Sequence, residues 1–264
     1  IQDLMNTDFR QEFDGKYILY CMIVTSLCFF AIWALAKAFL KDKTLVPELV
    51  QGSFRGSAAV LGTAFVLNMY GDTGMVPLMI IGAVPLYNIY SVIVLTIESP
   101  RREEIEGSPV KNTIKGIVTN PIIIGIVVGL LLSIFRVDFP LMIDNTIGNI
   151  AKMATPLALL AIGGSFEFSS ALKKMGPAVT GSAIKLVIMA VVFLPVAVWL
   201  GYRDAKLMAL VIMLGSPTTP SCYIMAKNMK CDGTLTSSMV VITTMMSAFT
   251  ITLIIFVLRT LGYL

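Results

Sequence analysis

Apolar runs of about 20 residues recur along this chain, and they restrict the folds that it can adopt. Residues 17–36, for example, contain no charged side chain. A helix needs about 20 apolar residues to cross a membrane, whereas the strands of a membrane barrel give short segments of alternating polarity. We therefore predict an all-α integral membrane protein.

The composition supports this class and excludes others. Of the 264 residues, 56% are hydrophobic and 14% are charged, whereas soluble domains are about 25% charged. The chain has no histidine, which removes histidine metal sites, Ser-His-Asp catalysis and histidine pH switches. The net charge of +4 is expected from cytoplasmic loops and not from nucleic-acid binding. We predict no enzyme, no cofactor and no metal site.

Eight membrane-spanning helices are predicted from the apolar runs. They cover residues 17–39, 55–70, 75–97, 113–135, 146–167, 178–200, 205–227 and 234–258. Residues 40–54 are interpreted as a cytoplasmic loop, and the charged, proline-flanked segment 98–112 as a cytoplasmic linker. With this orientation, Lys and Arg, including Arg55, lie inside rather than outside by about two to one. No acid is expected within the membrane, which disfavours an exchanger built on a buried aspartate pair.

The chain contains an internal repeat with an offset of 160 residues. Asn68-Met-Tyr-Gly-Asp72 is echoed by Asn228-Met-Lys-Cys-Asp232. The predicted spans 17–39, 55–70 and 75–97, shifted by 160, fall on the last three spans. We predict two repeats of five helices, with the first two helices of the first repeat absent from this chain. Because five is odd, the repeats are inverted, and interrupted helices at matching places mark a transporter's binding site.

The second interruption lies in the span 205–227. Two prolines remove backbone donors, and such a stretch is tolerated in a membrane where it is buried in protein or lines a wet cavity. It leaves a half-helix whose N-terminus favours anions. The candidate substrate-binding residues are Ser216, Pro217, Thr218, Thr219, Pro220 and Ser221. The alternative is a plain proline kink with back-bonded hydroxyls.

Further candidates lie in three other spans. Ser57, Gly62 and Thr63 form the matching stretch in the first repeat, although small residues also allow close helix packing. Lys185 would offset the charge of an anion or change protonation during transport, or else it extends to the membrane surface. Asn120, followed by a proline, would face a central cavity or belong to a kink.

Several motifs resemble the auxin efflux carrier family, which includes plant PIN-type auxin exporters and bacterial malate or malonate permease-like proteins. Leu214–Lys227 resembles its second crossover, and Phe54–Ala64 resembles its first. Ala154–Gly164 is similar to its "Pro-Leu-Ala-Leu…Gly" helix, and Asn120 with the next proline matches the start of its sixth helix. The family usually has Asn where Ser57 stands and Pro where Ala64 stands, so the first crossover is less polar and less rigidly broken here.

The resemblance implies an NhaA-like or PIN-like fold of ten helices in two inverted repeats, with substrate bound where two broken helices cross. Residues 1–97 would then end the first repeat and belong to the transport part. After the linker 98–112, residues 113–168 would form scaffold helices and residues 169–264 transport helices.

The sequence thus predicts a multi-pass plasma-membrane protein. It would be a secondary active transporter that moves a small organic anion, a malate- or auxin-like carboxylate, by alternating access. The alternatives are a non-transporting sensor or structural homologue, and an ion channel. Coupling to protons or sodium and a homodimer stay open.

Overall fold

The computed structural model describes residues 14–98, 114, 118–119, 121–135 and 139–264. The helices are α1 (Gly15–Phe39), α2 (Val46–Phe54), α3 (Ala58–Tyr70), α4 (Val76–Ile97), α5 (Pro121–Ile134), α6 (Leu141–Gly164), α7 (Phe168–Lys173), α8 (Met175–Trp199), α9 (Asp204–Gly215), α10 (Ser221–Asn228) and α11 (Thr234–Thr260). Within α8, residues Ile184–Ile188 form a π-helical turn. The linker 98–112 and Asn120 lie outside the described residues, apart from residue 98.

Among the described residues, five helices are long and apolar enough to cross a membrane, namely α1, α4, α6, α8 and α11. The pairs α2–α3 and α9–α10 cover 46–70 and 204–228, so each pair is as long as α1. Apolar side chains cover the outer surfaces of these helices, as a bilayer requires. The prediction of an all-α membrane protein is confirmed.

The predicted loop 40–54 is wrong, and so is the predicted start of the second span at residue 55. Residues 43–45 form a 3₁₀ turn, and residues 46–54 form the fully buried helix α2. This segment contains buried polar residues. Two of them, Glu48 and Gln51, form hydrogen bonds with distant parts of the chain.

Glu48 is the clearest case. This side chain is 1% exposed. Its carboxylate accepts from Gly233 N (2.8 Å) and from both N and Oγ1 of Thr236 (3.0 Å each). A carboxylate at a helix N-terminus is stabilised by the helix dipole and by charge-assisted hydrogen bonds. Glu48 therefore fixes α2 to the start of α11.

Of the predicted span 113–135, the helix Pro121–Ile134 is described, and most of the residues before it lie outside the described part of the chain. Other predicted spans have shifted ends. The predicted span 146–167 begins earlier, at Leu141, and the predicted span 178–200 is preceded by the short helix α7 and begins at Met175. The bounds of α1 moved by 160 residues are the bounds of α8. Helix α4, moved in the same way, falls within α11.

The helices pack around α9, in which every residue from Leu207 to Gly215 is buried. Other helices are also in close contact. A Cβ at Gly82 of α4 would lie 2.9 Å from Ile18 O of α1, so these two helices touch through their backbones. Directly before α1, the carboxylate of Asp14 accepts a hydrogen bond from Tyr17 N and forms an ion pair with Lys206 of α9 at 2.9 Å. The hydrogen bond from Lys206 holds the pKa of Asp14 below its ordinary value.

Candidate functional site

The two interrupted helices touch at their breaks. Residues 55–57 separate α2 from α3, and residues 216–220 separate α9 from α10. Gly56 pairs with Thr218 in an isolated antiparallel bridge, and Ser57 N donates to Pro217 O at 2.9 Å. We call this contact the crossing, defined as residues 55–57 and 216–221. The two stretches that the sequence singled out are thus adjacent.

The second break follows from its prolines. Pro217 has no N–H, so it cannot continue α9 by bonding to Met213 O. The next amide, Thr218 N, donates to Thr243 Oγ1 of α11 at 3.0 Å and not to Leu214 O. Two carbonyls in the last turn of α9 therefore lose their helical partners. In a membrane these groups must be satisfied from elsewhere in the protein.

Lys185 satisfies both carbonyls. It lies in the π-helical turn of α8, and its side chain is fully buried. Its Nζ donates to Leu214 O at 2.9 Å and to Met213 O at 3.2 Å. A cation at a helix C-terminus is stabilised by the helix dipole as well as by these hydrogen bonds.

The first break has no proline, and a close approach explains it. A Cβ on Gly56 would lie 2.9 Å from both Cε and Nζ of Lys185, and it would overlap Ser216 Oγ. Only glycine leaves room for these side chains at this point. In return, Thr218 Oγ1 donates to Gly52 O at 2.7 Å, which satisfies a carbonyl near the end of α2. Each break thus supplies hydrogen bonds to the other.

Arg55 is the residue that sequence reasoning missed, because it was counted as a cytoplasmic loop cation. It is only 4% exposed. Its Nη2 donates to Ser221 Oγ at 2.8 Å, and its Nη1 contacts Met225 Sδ at 3.2 Å. The available signal was its position directly before Gly56, within the motif that resembles a crossover.

Two buried cations lie at the crossing, Arg55 within it and Lys185 beside it. Within the described part of the chain, the ion pairs join other residues, and neither Arg55 nor Lys185 has a carboxylate partner. The two helices that start here, α3 and α10, have no side-chain cap on their N-termini. Helix N-termini carry about half a positive charge each. The crossing is therefore electropositive.

The predicted residues of the second stretch divide into two sets. Ser216, Pro217 and Thr218 are buried, and Ser216 Oγ has no hydrogen-bond partner among the described residues. Half-buried residues form the accessible edge of the crossing: Ser57, Thr219, Pro220 and Ser221. Thr219 Oγ1 and Ser221 Oγ lie 3.2 Å apart at this edge. Hydroxyl groups are thus presented next to the Arg55 guanidinium.

Two other predicted residues lie further along α3. A Cβ on Gly62 would meet Met79 at 3.1 Å and Val76 at 3.2 Å, so this glycine packs against α4. Thr63 Oγ1 donates to Ala59 O at 3.0 Å, within its own helix. Their described contacts are those of helix packing and not of the crossing.

Neighbouring polar groups stabilise the crossing. Gln51 Nε2 of α2 donates to Cys222 O of α10 at 3.0 Å. Tyr87 OH of α4 lies 3.4 Å from Met213 O. Among the described residues, no three His, Cys, Asp or Glu side chains lie close enough to hold a metal ion.

A family model described as "Membrane transport protein" matches residues 5–255, which is almost the entire chain. No curated protein matches the chain.

Proposed function

We propose that this chain is a secondary transporter of a small organic anion, since it belongs to the membrane transport protein family, the auxin efflux carrier type of transporter. The anion would bind at the crossing and reach each side of the membrane in turn. The observation that carries this proposal is the pair of buried cations, Arg55 and Lys185, at a contact between two broken helices where no acid of the described residues neutralises them.

The contacts of Arg55 support an anionic substrate. A guanidinium has five N–H donors in a planar fork that fits a carboxylate. Here it contacts one hydroxyl and one thioether sulfur, which is a weak acceptor. An uncompensated buried charge is strongly destabilising. A substrate carboxylate would supply the missing negative charge and acceptors.

The electrostatics of the helix ends support the same sign of charge. Lys185 offsets the negative C-terminal end of α9. The uncapped N-termini of α3 and α10 then add to the charge of Arg55. The hydroxyls of Ser57, Thr219 and Ser221 would donate to the oxygens of an anion. The substrate would therefore bind at the accessible edge of the crossing.

Alternating access would follow from two inverted repeats, as in other carriers with paired interrupted helices. The coincidence of α1 with α8 and of α4 with α11 at an offset of 160 residues supports a repeat. The antiparallel direction of the contact between Gly56 and Thr218 supports the inversion. We also propose that residues 1–97 and 169–264 form the transport part and that residues 113–168 form the scaffold part. The proposed location is the plasma membrane.

Uptake by proteoliposomes tests this function. Purified protein is reconstituted, and entry of radiolabelled malate and indole-3-acetate is measured against protein-free vesicles. We expect saturable uptake of at least one carboxylate. Thr219→Val should reduce the rate about ten-fold, because a hydrogen bond to a charged group contributes about 1.5–3 kcal/mol. The folded yield should change little.

Thr252→Val is the matched control, because Thr252 Oγ1 bonds to Ala248 O on the exposed face of α11. It should leave uptake unchanged. Equal losses of uptake and folded yield in Thr219→Val would favour a structural kink instead. Binding without flux would identify a sensor, and unsaturable currents would identify a channel. Either result would contradict the transporter.

A further inference from the structure

The end of α9 has the form of a cation site. Neither Met213 O nor Leu214 O has its helical donor. Pro217 has no N–H for Met213 O, and Thr218 N bonds to Thr243 Oγ1 and not to Leu214 O. In carriers with broken helices, such half-helix C-terminal carbonyls coordinate a coupling ion such as Na⁺. The Ser216 hydroxyl, buried and without a partner, begins the break beside them. These are oxygen ligands of the kind that a hard cation prefers.

In this chain the side chain of Lys185 already occupies the position of such an ion. Lys185 Nζ donates to both carbonyls, and Gly56 leaves the space that the end of this side chain fills. An ion bound to the same oxygens would overlap the ammonium, and two like charges at such a distance repel strongly in a medium of low dielectric constant. No acid in the described part of the chain offsets a second cation there.

We propose that the Lys185 ammonium is a resident cation, covalently tethered to the protein, that replaces a coupling metal ion at the end of α9. The tethered cation follows from the contacts of Lys185 alone. Its consequence for transport, that anion movement does not require Na⁺, rests on the proposed function.

The first test needs no substrate. Thermal unfolding of the purified wild-type protein is followed in detergent, with NaCl or choline chloride at equal ionic strength. We expect the same unfolding temperature in both salts, because no Na⁺ site is open. A saturable rise in unfolding temperature that is specific to Na⁺ would overturn the proposal.

The second test removes the tethered cation. Lys185→Ala should lower the unfolding temperature by several degrees, because Leu214 O and Met213 O lose their hydrogen bonds to Lys185, and of the described residues only Tyr87 OH still donates to Met213 O. Propylammonium, which matches the deleted atoms, should restore part of the loss. Na⁺ should also stabilise this variant. Choline should not, since it has no N–H donor. Lys37→Ala removes an exposed ion pair and serves as the control that none of these cations affects.

The failure of propylammonium and Na⁺ to stabilise Lys185→Ala more than choline does would also overturn the proposal. If that variant cannot be purified, the wild-type response to Na⁺ decides. A transport measurement completes the design: carboxylate uptake should proceed equally in Na⁺ and choline, and strict Na⁺ dependence would refute the inference. An absence of uptake in both media would instead refute the proposed function, while thermal unfolding still reports on Lys185.

Discussion

Gly56, Lys185 and Arg55 show how single residues set the properties of the crossing. Gly56 contributes no side chain, and this absence lets Lys185 reach the carbonyls of α9. The sequence identified Lys185 as a candidate, because a lysine within an apolar run is rarely without a role, but it did not indicate the contacts of Lys185 with the carbonyls of α9. The burial of Arg55 was missed, because an arginine beside a loop and one inside a broken helix look alike unless the resemblance to a crossover is given weight.

Gly56→Ala tests the close approach at this position. The new methyl group would overlap Ser216 Oγ and lie 2.9 Å from Lys185 Nζ. We expect a loss of about 1–3 kcal/mol of stability from overpacking, together with reduced uptake as Lys185 moves. Unfolding temperature in detergent and uptake in proteoliposomes measure the two effects.

Gly163→Ala is the matched control. Gly163 lies in α6, where an added Cβ would meet nothing within 4 Å. Alanine is favoured over glycine in a helix by up to about 1 kcal/mol, so this variant should be as stable as the wild type or more so. If Gly56→Ala behaves in the same way, the packing of Lys185 against residue 56 is refuted.

At the scale of elements, the two breaks depend on each other. Thr218 Oγ1 serves a carbonyl of α2, and Pro217 O accepts from the start of α3. The break at 216–220 could be predicted, because two prolines dictate it locally. The helix at 46–54 could not be predicted, because two of its polar residues bond to residues far away in sequence. Gln51 bonds to Cys222, 171 positions away, and Glu48 bonds to Gly233, 185 positions away.

Pro217→Ala tests whether the break is needed. The substitution restores an N–H that could bond to Met213 O and extend α9, in competition with Lys185. We expect uptake to fall about ten-fold or more while the unfolding temperature is kept or raised, because an interior proline destabilises a helix by about 3 kcal/mol.

Pro195→Ala provides the comparison, because Pro195 lies inside α8 and lines the apolar groove between α8 and α11, outside the crossing. It should leave uptake near the wild-type rate. Wild-type uptake by Pro217→Ala would mean that the interruption at this proline is not required for transport.

For the whole molecule, the matching bounds of α1 and α8 and the contact between the breaks support one arrangement: two halves whose interrupted helices meet inside the membrane. The length of the apolar runs predicted most of the helices, because the bilayer imposes length and composition on every span. Which side chains meet at the centre depends on packing between distant segments, and a single sequence does not record it.

The measurement that tests the central claim most directly is uptake by Arg55→Gln compared with Arg203→Gln. Arg203 bonds to backbone carbonyls and stacks on Tyr263 at the end of α8, away from the crossing. If the crossing binds an anion through its buried cations, Arg55→Gln should raise the KM for the carboxylate or lower its uptake about ten-fold or more. Arg203→Gln should transport normally. Undiminished uptake and an unchanged KM in Arg55→Gln would contradict the account.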